Sequence, residues 1–260
     1  MTWQAMCVAT EPRYFHSDTE SKRFGLSISR LEIPNDSDHD LSWKFTSDLI
    51  KASNDDVIIM RYPSRFSDWF AKLIYTDRDV IHADTLIFWS ANTDTIDTSE
   101  YHIEPYEADW ESTVDDEILE LTRSAFTRFS NHYAANPLFD HSLAAEGYVE
   151  WTERVAENGH LLVLRDENRA AISYRISTLV DGVWEGIVAG TLPSARRGGA
   201  FVKALQESAK KAKELGAESI VVSSQVQNIG TSRTYAKYLP LLPYAAFNTI
   251  HIVRKGLLRV

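Results

Sequence analysis

Cysteine is almost absent from this 260-residue chain. Cys7 stands alone, which excludes an internal disulfide framework and, with no Cys/His spacing of the zinc kind among the histidines, points to a reducing compartment and to no metal. Long apolar runs are missing too: no stretch is long enough to cross a bilayer, and the opening MTWQAMCVATEPRYF has no basic segment followed by an apolar one. The expectation is a soluble, untargeted, cytoplasmic protein without a membrane partner. Net positive charge is the third absence. A formal charge of -10 gives a mean field that repels phosphate backbones, so any nucleic-acid contact needs a local basic patch. What remains, 44% hydrophobic and 25% charged residues, is ordinary globular composition, sufficient for one large domain or two small ones.

The first hundred residues alternate between strand and helix patterns. Phe24, Leu26 and Ile28 share one face of a period-2 segment ending before Pro34, and Leu41 to Ser53 has helical spacing. Val57 to Met60 reads as a buried strand, Ser64 to Thr76 as a helix with Phe66, Trp69, Phe70, Leu73 and Ile74 in one stripe, and Val80 to Trp89 as a strand. Ser90 to Ser99 then loses apolar periodicity and gains Ser, Thr, Asn and Asp, which favour loops. The domain boundary is placed there, giving units 1–98 and 99–260.

Beyond it the pattern predicts a strand at Tyr101 to Pro105, a helix at Asp115 to Phe126, an irregular stretch at Asn131 to Phe139 and a helix at about Ser142 to Glu157. Strands follow at His160 to Arg165, Ala170 to Thr178 and Val183 to Thr191, then a helix at Phe201 to Leu215, a strand at Ser219 to Ser223, a helix at Thr231 to Tyr238 and a strand at Phe247 to Arg254. This is a mixed α/β order.

Its most informative joint is Thr191-Leu-Pro-Ser-Ala-Arg-Arg-Gly-Gly-Ala-Phe201. Adjacent glycines let backbone approach a ligand, the amides at a helix N-terminus point outward beside the positive end of the dipole, and Arg196 and Arg197 add charge. Such a joint suits a pyrophosphate; the competing reading is a surface loop whose glycines serve turn geometry.

The second half of the pattern is Asn228-Ile-Gly-Thr-Ser-Arg233-Thr-Tyr235 after the next strand. With Pro193-Ser-Ala-Arg196-Arg-Gly-Gly199-Ala-Phe201 it resembles the paired motif of the GNAT superfamily of N-acyltransferases, P-x-x-R-x-x-G-x-G/A followed by N-x-x-x-x-R-x-Y. Phe201 stands where that family has Gly or Ala; sliding the frame so that Gly198 and Ala200 fit leaves Ala195 at the usual Arg or Gln position. Asp18 to Gly25, Ser130 to Pro137 and Ser223 to Asn228 further resemble the TDP-fucosamine acetyltransferase type, in which a smaller α/β lobe like a truncated GNAT domain precedes the GNAT fold.

The resemblance implies a slot between the fourth and fifth strands near Ala189, Thr191 and Ser223 for the pantetheine arm of an acyl-CoA, most simply acetyl-CoA. Arg196, Arg197, Gly198, Gly199, Ala200 and Asn228 would hold the donor, and Tyr235 would be the general acid for the departing thiolate. The competing readings are a core tyrosine and, for Asn228, a plain helix cap. Glu185 is the candidate general base, with Asp181, Glu150 and His132 as rivals and a solvent-facing strand carboxylate as the competing reading; His132 and Tyr133 lie in a loop that in this superfamily often covers the acceptor, the competing reading being an ordinary aromatic loop anchor. Cys7 is too remote from every motif to be the nucleophile.

The implied reaction is direct attack by a primary amine of a small polar metabolite, such as a nucleotide-linked amino sugar, on the donor thioester; self-association is open. One alternative keeps the fold and takes an aminoacyl-tRNA as donor, on the basic cluster Arg196, Arg197, Lys203, Lys210, Lys211 and Lys213; interleaved Glu207 and Glu214 make a solvated helix face the plainer reading. Another is a non-catalytic acyl-CoA-binding module.

Overall fold

The computed structural model of the protein describes residues 2–98, 106–127, 129, 131–196 and 198–258. A short π-helical turn at Gln4–Val8 leads into β1 (Arg13–His16), α1 (Asp18–Phe24), β2 (Ile28–Glu32), α2 (His39–Ala52), β3 (Val57–Pro63), α3 (Trp69–Ile74) and β4 (Arg78–Asn92). The second half runs β5 (Glu107–Glu111), α4 (Asp116–Phe126), α5 (His141–Ala156), β6 (His160–Arg165), β7 (Ala171–Val180), β8 (Val183–Thr191), α6 (Ala200–Glu214), β9 (Ser219–Gln225), α7 (Ile229–Tyr238) and β10 (Leu242–Arg254).

Local chemistry accounts for many of these bounds. Asp115 caps α4 by accepting the Ile118 N–H at 3.0 Å, and Asp140 caps α5 through Ser142 and Leu143, each cap being worth about 1 kcal/mol. The β7–β8 hairpin turns on Asp181 and Gly182, both at positive φ (49° and 76°), the pair of conformations a tight primed turn requires.

The ten strands of the described residues form one mixed sheet in the order β1-β2-β3-β10-β4-β9-β8-β7-β6-β5, antiparallel except at β2–β3 and β8–β9. The succession β3-α3-β4 is matched by β9-α7-β10, and the last strands are exchanged. β4 pairs with β9, β10 pairs with β3, and β4 and β10 lie side by side at the centre. On one face of the second half α6 and α7 bury Trp184, Leu205, Ile220, Val222 and Tyr235 together; on the other α4 and α5 cover Leu161, Val163, Tyr174, Ile176 and Val188.

Several expectations are corrected. The stretch Ser90 to Ser99 is not loop from its start, because β4 continues to Asn92 in register with Ser219 of β9; tertiary pairing overrides the polar composition. The Ser64 to Thr76 helix shrinks to Trp69–Ile74, since the Phe66 and Trp69 amides bond back three residues to Pro63 and Phe66, as in successive turns. Phe24 ends a helix instead of starting a strand. The strand expected at Tyr101 to Pro105 lies outside the described residues, as does Arg197; the strand that fills the sheet edge is Glu107–Glu111.

Candidate active site

The parallel ladder between β8 and β9 is short. Its register runs from Val183↔Ser219 to Gly186↔Val222 and stops there, although β8 continues to Thr191 and β9 to Gln225. Ile187 is the extra residue of a bulge against β7, where the register steps from Ile176↔Val188 to Ser177↔Gly186. Beyond the bulge the facing edges of 187–191 and 223–225 carry no mutual ladder, so backbone amides and carbonyls are open to a ligand. This is the slot expected at Ala189, Thr191 and Ser223, and all three line a cavity of about 990 Å3. Thr191 is fixed there by a 2.8 Å hydrogen bond with Ser173 Oγ.

At the open end of the slot stands the N-terminus of α6. Gly199 caps it at φ 81°, a conformation that suits glycine, and the first-turn amides from Ala200 onward have no intrahelical acceptor. A side chain at Gly198 would collide with the Tyr106 hydroxyl, which donates to the Gly198 carbonyl at 3.1 Å. Arg196 lines the cavity and donates to the Ala125 carbonyl of α4 at 3.3 Å, which holds its guanidinium at the mouth. Across the slot Asn228 caps α7 by accepting the Thr231 N–H, and it also lines the cavity. Phe201 lines the cavity beside Tyr235, with ring centroids 6.1 Å apart. Three of the α6 lysines are paired locally, Lys203 and Lys210 sharing Glu207 and Lys211 meeting Glu214, and Lys213 donates to the Ile96 carbonyl.

Tyr235 and Glu185 sit at the inner end on opposite faces of the sheet. Tyr235 belongs to the α6–α7 face with Trp184, and Glu185, the next residue along β8 after Trp184, points to the other face. Tyr235 is buried among Trp89 and Phe201, and burial raises its pKa while the neighbouring Arg175 guanidinium opposes the rise. Glu185 is 8% exposed and accepts the Trp3 N–H at 2.8 Å; burial outweighs that bond and pushes its carboxyl up to about 7. Cys7 lies close enough for Glu185, after burial, to help push its thiol up to about 12, so it is a protonated packing group at neutral pH. Asp181 occupies the hairpin turn, outside the cavity wall, and Glu150 pairs with Arg23 at 2.6 Å on the cavity rim.

The cavity continues under the first half of the chain. Arg30 makes two 2.6 Å bonds to Glu20, and Tyr133 also donates to Glu20. Burial alone would raise the Glu20 pKa, but the Arg30 charge and these bonds outweigh it and hold the carboxyl at about 2. Arg61 reaches Thr249 Oγ1 at 2.9 Å. His132 contacts His251 at 3.1 Å; burial and the nearby Arg61 keep His132 well below its usual value, and burial with Arg30 takes His251 down to about 3. His132 is therefore a neutral anchor of its loop at physiological pH, and Tyr133 presents its ring and hydroxyl to the same space.

Among solved structures the chain superposes on a GCN5-related N-acetyltransferase from Sphaerobacter thermophilus with TM-score 0.60 and 10% identity, covering 95% of this chain and 78% of that one. The chain has the GCN5-related N-acetyltransferase fold. A second such protein, from Kribbella flavida, matches at TM-score 0.53 and 16% identity over 89% of this chain and 83% of that one. A tandem GNAT protein from the clavulanic acid biosynthesis pathway matches at TM-score 0.53 and 10% identity over 88% and 76%. No family model and no curated protein matches the sequence. At these identities the likeness is one of fold, and function rests on the site.

Within this GNAT fold the residues that sequence reasoning overlooked are Arg175 and Gly186. Arg175 is 3% exposed in the middle of β7, and a side chain at Gly186 would collide with its guanidinium. The available signal was an arginine inside the strand pattern Ala171-Ile-Ser-Tyr-Arg-Ile-Ser177 together with a glycine inside the next strand. Among the described residues no group of three or more His, Cys, Asp or Glu is arranged to hold a metal, and no helix is long and apolar enough to cross a membrane.

Proposed function

We propose that the protein is an N-acyltransferase that moves an acyl group from acyl-CoA to the primary amine of a small polar metabolite. The observation that carries this is the interruption of the β8–β9 ladder after Gly186↔Val222, directly above the glycine-capped start of α6 and between Tyr235 and Glu185. The diphosphate of the donor would meet the α6 amides and Arg196, and its pantetheine arm would pair with the exposed edges of β8 and β9. An amide of the β8 edge aimed at the thioester oxygen would stabilise the developing oxyanion, a contribution of about 3 kcal/mol per well-placed donor.

Attack is direct. Glu185, held near neutrality by burial, accepts a proton from the amine on one face of the sheet, and Tyr235 protonates the thiolate on the other. The acceptor would lie toward Arg30, Arg61, Tyr133 and Glu32, a wall of mixed charge that suits a polar, anion-bearing amine such as a nucleotide-linked amino sugar of the TDP-fucosamine type. In this reading residues 1–98 form the lobe that completes the acceptor side and 99–260 the lobe that holds the donor.

Calorimetric titration with coenzyme A and acyl-CoA, followed by thiol-release assays over a panel of amines, tests the proposal; absence of coenzyme A binding and of release with every amine would overturn it. Tyr235→Phe separates enzyme from binding module. Turnover should fall by about 100-fold while donor affinity persists, whereas a pure binding module would show no turnover to lose.

A further inference from the structure

Among the described residues Arg175 is the guanidinium in the slot that the mechanism above leaves unused. Arg30 has the Glu20 carboxylate and Arg165 those of Glu111 and Glu117, while the buried Arg78 gives its guanidinium to the Ser53 and Asp55 carbonyls. Arg175 is more deeply buried than any of these, its Nε has no hydrogen-bond partner, and no carboxylate among the described residues pairs with it. A desolvated cation without a counter-ion is unfavourable, and an anion arriving from outside would relieve that cost.

Its position says which anion. Arg175 faces Ala189 across the β7–β8 ladder, and its guanidinium lies against Gly186 and beside the Tyr235 phenol. Gly186 is also where the β8–β9 ladder begins to open, so the guanidinium caps the closed end of the slot. A donor whose diphosphate rests on the α6 N-terminus at the open end presents its acyl group toward the closed end. A short neutral acyl chain calls for an apolar cap there; this chain supplies a cation and keeps a glycine opposite to make room for it.

We propose that the acyl group taken by this site ends in a carboxylate, as in the mono-coenzyme A thioesters of short dicarboxylic acids, and that Arg175 receives that carboxylate. The inference rests on the acyltransferase reading and narrows its donor from acetyl to an anionic acyl group. In the reaction the amine nitrogen bonds to the thioester carbon as the carbon–sulfur bond breaks. Of the two protons the ammonium gives up, Glu185 takes one and passes it to solvent, and the other replaces the one Tyr235 gives to the thiolate. The distal carboxylate is unchanged, so the product is an amide ending in a free acid. A planar guanidinium meets a carboxylate through two parallel hydrogen bonds, which makes the pairing selective as well as favourable.

The test compares succinyl-CoA and glutaryl-CoA with acetyl-CoA, butyryl-CoA and free coenzyme A by calorimetry on the full chain, for the native protein, Arg175→Met and Arg175→Lys. The native protein should bind the dicarboxylic thioesters roughly 10-fold or more tightly than butyryl-CoA, equivalent to about 1.4 kcal/mol. Arg175→Met should abolish that preference while affinity for free coenzyme A holds, and Arg175→Lys should restore part of it. Equal or better binding of acetyl-CoA by the native protein overturns the proposal, as does an equal loss for every thioester in Arg175→Met. If Arg175→Met does not fold, the native preference decides alone. Failure of free coenzyme A and of all thioesters to bind removes the acyltransferase reading itself, a result distinct from binding without preference.

Discussion

Replacing Glu185 by glutamine should make the protein more stable, and by an amount that depends on pH. Burial lifts the carboxyl from the ordinary 4.5 to about 7, so the ionised form in the folded chain is disfavoured by about 3 kcal/mol relative to the unfolded chain. Between these two values the folded state holds the proton that the unfolded state has lost. The contribution of Glu185 to stability therefore falls as pH rises from 4.5 to about 7 and levels off above that. Glutamine has no proton to lose, and its side-chain oxygen can still accept the Trp3 N–H. Urea unfolding of both proteins should show nearly equal stability at about pH 4.5 and an advantage of about 3 kcal/mol for Glu185→Gln at pH 8. Taking the difference between the two proteins cancels every other titrating group. The same variant should lose at least about 100-fold in kcat/KM, together with the rise through about pH 7 expected of a general base. A stability gap that is the same at both pH values would refute the buried, neutral-poised carboxylate.

Two further outcomes follow from the same contacts. Gly186→Val drives Cβ into the Arg175 guanidinium and should lower the urea midpoint by the equivalent of about 1–3 kcal/mol; an unchanged midpoint would contradict the packing described. Glu20→Gln leaves the largely buried Arg30 without its carboxylate and should cost about 3 kcal/mol at pH 7, and the gap should close as pH falls from 4.5 toward 2, where the native carboxyl also protonates. A gap that stays constant over that range counts against the pair.

The second half of the chain was legible because its signals are local. Asp115 and Asp140 announce helix starts, Asp181-Gly182 announces a hairpin, and Arg196, Asn228 and Tyr235, singled out by the resemblance of their motifs, line one cavity. The first half was less so. α1 has only seven residues, too few for a periodic stripe; in the second half the exception is the edge strand β5, whose Glu107, Asp109 and Glu111 make a charged pattern that protects a sheet edge but hides a strand. The exchange of β4 and β10 leaves no trace in periodicity, yet it brings Arg30 and Arg61 into the same cavity as Glu185 and Tyr235. Arg175 escaped for a related reason: its meaning comes from Gly186 on the next strand and from Tyr235 sixty residues on, a relation only the folded chain makes visible.

Everything functional here depends on the gap between β8 and β9. Amide hydrogen exchange with and without an acyl-CoA reads that gap directly. Val183 to Gly186 and Ser219 to Val222, which share a ladder, should exchange slowly in both states, whereas amides on the facing edges of 187–191 should exchange fast in the free protein and slow on addition of the thioester. Equal protection along the whole of β8 without ligand, or no change on adding it, would show that the strands are closed and that no donor enters between them.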